Sequence, residues 1–162
     1  MVDLLLAIVH HLLAFGIAAA ITAQLVLVRP GMQPPAVQLA AKYDIALGVM
    51  SMSLVAIGFL RVFFGAKGSD FYLHNHVFWT KVVLFAIIGL LSIKPTRSFL
   101  RWRKAQAADA GFAPEEVEIR SVRKTLMTEI HVFALLPLAA AAMATRLRLR
   151  LMRRAPQLNI QL

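Results

Sequence analysis

Residues 4–28 read LLLAIVHHLLAFGIAAAITAQLVLV, a run without one charged side chain. A helix needs about 20 apolar residues to cross a bilayer, and this run exceeds that. It is too long for the core of a signal peptide, and Asp3, with no Lys or Arg, precedes it. The run therefore reads as a retained transmembrane helix. It stops at Arg29-Pro30-Gly31, where charge, a missing amide donor and a flexible residue coincide.

Three further blocks follow. One covers 45–64, entered through Lys42-Tyr43-Asp44, with Arg61 in its last turn able to snorkel to the headgroups. Another covers 71–93, with Ser69-Asp70 as its N-cap pair and Pro95 as its expected close. The last covers 126–145 and contains Pro137, which membrane helices tolerate. The expected fold is all-α, an integral membrane four-helix bundle forming one domain over 1–146, with a basic tail at 147–162. Residues 94–125 are expected to form an extramembrane loop. From Pro114-Glu115-Glu116 onward that loop starts like a helix and extends the fourth span.

Apolar residues make up 59% of the 162, and the net charge is +10. The basic residues flank the apolar blocks, where they meet anionic headgroups. No separate soluble domain is available to bind nucleic acid. The absence of cysteine excludes disulfides, thiolate metal sites and thioether haem attachment. Four spans put both termini on one side. The first and third loops hold Arg29, Lys42, Lys94, Arg97, Arg101, Arg103, Lys104, Arg120, Arg123 and Lys124; the other side holds Arg61, Lys67 and the tail arginines from Arg146 to Arg154. The positive-inside rule places the first and third loops in the cytoplasm.

Ionisable groups inside a bilayer are costly and mark function by default. The candidates are His10, His11, His74, His76, Lys81, Glu129 and His131. At 1.5 Å per residue, His10 lies roughly 9 Å into the first helix and His76 roughly 8 Å into the third. Both helices start on the same side, so His10 or His11 can sit level with His74 or His76. Two imidazoles at matching depth suit bis-histidine haem ligation, and His10, His11 and His76 are the candidate metal ligands. Arg61 and Lys67 emerge on that side, placed to neutralise haem propionates. The competing reading is a histidine hydrogen-bonded to a neighbouring helix with no ligand. His131 starts from the opposite face and has no histidine at its level; Glu129 is expected to pair with Arg123 or Lys124. Lys81 lies too deep to snorkel easily and is the candidate charge partner or proton donor. Trp79, Trp102 and Tyr72 fit interfacial belts. The seven methionines lack a paired relay spacing, which argues against copper transport.

The strings Gly58-Phe59-Leu60-Arg61-Val62-Phe63-Phe64-Gly65, Lys67-Gly68, Phe78-Trp79-Thr80-Lys81 and Leu90-Leu91-Ser92-Ile93-Lys94-Pro95-Thr96, with Tyr72, Asn75 and Trp102, resemble the bacterial membrane family defined as domain of unknown function 2214. His76 departs from that family's pattern, where proline is expected. More distantly, His11 (or His10) and Lys81 followed by Val82-Val83-Leu84-Phe85 look like the CopD and HemJ-type membrane proteins. That resemblance implies haem or tetrapyrrole chemistry. The leading expectation is a haem-b-binding protein engaged in electron transfer or in oxidation of a tetrapyrrole or quinol-like molecule. The alternatives are an accessory subunit of a larger membrane complex and a small-molecule or metal-ion transporter working as an oligomer.

Overall fold

The computed structural model describes residues 1–64, 70, 73–74 and 76–154, the side chains of 64, 77 and 139–154 excepted. Among the described residues four long helices make up the architecture: α1 Val2–Leu27, α2 Pro34–Phe64, α3 His76–Ala108 and α4 Glu116–Arg154. They run up, down, up, down. α1 packs on α2, α2 on α3, α3 on α4 and α4 back on α1, while the diagonal pairs do not meet among the described residues. The fold is the expected all-α membrane bundle. Among the described residues three stretches are long and apolar enough to cross a membrane: Val2–Leu27, Pro34–Phe63 and Phe78–Ala108. The fourth expected span, 126–145, lies within α4 and runs past the last described side chain.

Three helix limits depart from expectation. α2 begins at Pro34, eleven residues before the apolar block. Proline at a first helical turn has its backbone φ preset and lacks a donor that would go unused there, so Pro34-Pro35 is a start signal. α3 passes through Pro95 and ends at Ala108, so Pro95 does not close it. An internal proline costs about 3 kcal/mol, and here the turns beyond it offset that by burying Phe99 and Trp102. α3 begins at His76, which leaves His74 in a turn ahead of it. The expected N-cap at Ser69 lies outside the described residues.

Of the stretch 94–125, the second half is helical from Glu116, as its Pro-Glu-Glu start implies, and the first half is helical too, as far as Ala108. Its turn is short: Asp109 accepts the Gly111 amide at 2.9 Å, and α4 opens with Glu116 and Glu118 in its first turn, where carboxylates favour the helix dipole. Arg101 of α3 pairs with Glu118 of α4. Residues 34–44, 94–108 and 116–125 together build a helical collar on the end of the bundle.

Two apolar cores result. The bundle core contains Ile17, Ala20, Ile21, Leu47, Leu54, Ile88 and Phe133. The collar core gathers Val28, Met32 and Val37 around Phe99, Trp102, Ile119, Val122 and Leu126. Trp102 is 0% exposed, so it is the centre of the collar and not a headgroup-belt residue. Trp79, half exposed with its indole N–H donating to the Leu73 carbonyl at 2.9 Å, remains consistent with a belt. Tyr72 lies outside the described residues. Trp102→Ala should cost about 3–5 kcal/mol through the cavity it leaves, whereas Leu100→Ala, on the exposed side of the same helix, should stay within about 0.5 kcal/mol. Detergent unfolding followed by circular dichroism would measure both.

Candidate functional site

Polar residues inside the bundle form two groups. The first lies where α1 starts, α2 ends and α3 starts. Asp3 and Arg61 approach to 3.9 Å, and Arg61, His11 and Lys81 are within electrostatic reach of His10. The His10 and His11 rings meet edge-on, with centroids 6.0 Å apart. They differ in their surroundings. His11 is exposed, with Nδ1 2.6 Å from the Ala7 carbonyl one turn back. His10 is half-buried, and its Nδ1 has no partner among the described residues. A buried imidazole nitrogen without a partner carries an unmet desolvation cost.

The other histidines do not join His10. His74 is exposed, with Nδ1 3.1 Å from the Asp70 carbonyl and 3.2 Å from the Asp70 carboxylate. His76 is exposed at the first residue of α3. His131 is exposed, with Nδ1 2.5 Å from the Met127 carbonyl. Lys81 is partly buried on α3. Lys67 lies outside the described residues. No group of three or more His, Asp or Glu side chains able to hold a metal occurs among the described residues.

The second group fills the seam between the two apolar cores, and the sequence reading did not single it out except for Glu129. Asp44 of α2 accepts from Thr96 of α3 at 3.0 Å and from the Gln24 amide of α1 at 3.4 Å. One turn before Thr96, Ser92 donates to Glu129 of α4 in a short contact. Gln24 is 0%, Glu129 1% and Asp44 8% exposed. Glu129 does not pair with Arg123 or Lys124. Lys124 is exposed. Arg123 instead donates to the Leu25 and Val28 carbonyls, the latter at 2.8 Å. Those carbonyls belong to the last turn of α1, which has no following turn to satisfy them; the guanidinium does so and adds a favourable charge. Depth matching across α1, α2 and α3, with Ser92 and Thr96 spaced by four on one helix face, was the available signal for this group.

The family model "Predicted membrane protein (DUF2214)" matches residues 2–146. The chain belongs to this family. The match takes in all the described polar residues of both groups, as well as the collar. No curated protein and no solved structure matches the chain. As a DUF2214 membrane protein, it meets lipid along its bundle faces, and the exposed Leu4, Phe15, Val49, Met52 and Leu90 suit that contact.

Removing the Arg123 side chain leaves buried carbonyls unpaired. Arg123→Ala should destabilise by about 1.5–3 kcal/mol, the range for hydrogen bonds to charged groups. Arg123→Lys should recover part of that loss, since a single ammonium keeps the charge without the planar fork. Thermal unfolding of the three proteins in the same detergent would give the order.

Proposed function

We propose that the chain binds a membrane-dissolved molecule through an anionic or hydrogen-bond-accepting group, received by His10, Arg61 and Lys81. The observation that carries this reading is the buried Nδ1 of His10, which has no partner among the described residues and lies within electrostatic reach of two cationic side chains. Within this class, haem b and related tetrapyrroles come first and quinol-like molecules second.

The fit to haem is partial. His10 is half-buried while His11, His74, His76 and His131 are exposed, which favours a single histidine ligand over the pair expected from depth alone. His10 would hold the iron, Arg61 and Lys81 would neutralise propionates, and Lys81 could also deliver a proton. Bound haem would supply one-electron chemistry. The protein purified in mild detergent with ample haem should give a reduced-minus-oxidised visible spectrum with a haem band. His10→Ala should abolish that band, and His11→Ala and His131→Ala should retain it. A featureless wild-type spectrum would sink the haem assignment.

The collar is proposed to face the cytoplasm of a bacterial inner membrane, because it carries the basic excess. With no native cysteine, Asp109→Cys at its tip gives one reactive thiol. An impermeant maleimide should label it in inverted vesicles and spare it in intact cells; the reverse pattern would invert the orientation.

A further inference from the structure

The seam between bundle and collar holds two carboxylates, Asp44 and Glu129, each more than nine-tenths buried. Their hydroxyl donors, Thr96 and Ser92, stand one turn apart on α3. Neither carboxylate has an ion-pair partner among the described residues; their partners are the neutral donors Gln24, Thr96 and Ser92. Two acceptor atoms in the seam, Glu129 Oε2 and Gln24 Oε1, are buried with no hydrogen-bond partner among the described residues. Two buried negative charges with surplus acceptors and no cation are untenable. One bound proton removes one of the two charges and turns one surplus acceptor into a donor, leaving a single carboxylate for the neutral donors to hold.

The helices also carry a polar stripe, in which the Thr125 hydroxyl donates to the Ser121 carbonyl at 3.2 Å. Ser121, Thr125 and Glu129 follow one another at intervals of four, on one face of α4. Ser92 and Thr96 repeat that spacing on α3. Lys94 bonds Ser121 at 2.7 Å at the exposed end of this stripe, and Glu129 with Ser92 ends it inside. The other charged groups at this end are committed or outward: Arg123 caps α1, while Lys42 and Lys124 are exposed. α1 contributes no titratable side chain between residues 12 and 28.

We propose that Asp44 and Glu129 share one exchangeable proton, taken up from collar-side water along the Ser121–Thr125 stripe. The seam is then a proton-binding site separate from His10, which lies roughly 21 Å from Gln24 along α1. The proposal is independent of the ligand reading, and the two can fail separately.

Infrared difference spectroscopy of the full chain in lipid nanodiscs, titrated with pH, tests it. The wild type should show the carbonyl stretch of one protonated carboxylic acid, lost as the pH rises. E129Q should remove that band. D44N should displace its midpoint by about one pH unit or more, because coupled carboxylates titrate as a pair. T125V should leave the midpoint in place and slow hydrogen–deuterium exchange of the acid. If E129Q fails to fold, E129D and D44N carry the test. A band that survives E129Q, or a D44N midpoint unchanged from wild type, would overturn the proposal. So would replacement of the proton by sodium, seen as loss of the band at fixed pH when sodium replaces choline.

Discussion

Charge placed where water cannot reach it must be met by an opposite charge, by donors or by a proton, and the joint between bundle and collar is organised around that requirement. Asp44 and Glu129 come from different helices and meet hydroxyls one turn apart on a third. Each carboxylate therefore fixes α3 against a neighbour. Because an unmet buried polar group costs more than a made hydrogen bond gains, these contacts act on register more than on total stability. The apolar layers on either side supply the bulk of the packing.

Arg123 serves the same joint from the other direction. A helix that ends inside a protein leaves carbonyls unsatisfied, and α1 ends where the collar core begins. The guanidinium reaches from α4 to those carbonyls, so the first and last helices are tied across the bundle. The Gln106 amide does similar work, donating to the Pro34 carbonyl at 2.7 Å. The collar is thus fastened to the α1–α2 connection by polar contacts as well as by Trp102 and Phe99.

Much of the fold was legible because hydrophobic runs in a bilayer have few readings. The run 4–28 is α1 almost to the residue. The extension of the fourth span was legible from Pro114-Glu115-Glu116, and α4 opens at Glu116; the extensions of α2 and α3 into water were not, since hydropathy marks the bilayer and not the helix. Pro34-Pro35 stands outside the apolar block, where hydropathy does not point, and the cost of Pro95 is visible in sequence while the burial of Phe99 and Trp102 is not. The candidate site was legible in part. Depth placed Arg61 at the level of His10, but the difference between His10 and His11 depends on rotation about the helix axis. Asp44 was read as a boundary residue, and only the extension of α2 into the collar makes it interior.

Pro95 has one more consequence. Residues 94–108 form a stiff rod of about 22 Å, and a proline inside a helix is a preferred place for bending. The residues on either side of that proline, Ser92 and Thr96, are the ones that hold Glu129 and Asp44. A tilt of about 10° there would sweep the Asp109–Gly111 tip through about 4 Å. Phe99, Trp102 and Gln106 hold that rod to the α1–α2 connection, so such a tilt would carry the whole collar with it and turn it about the two carboxylates.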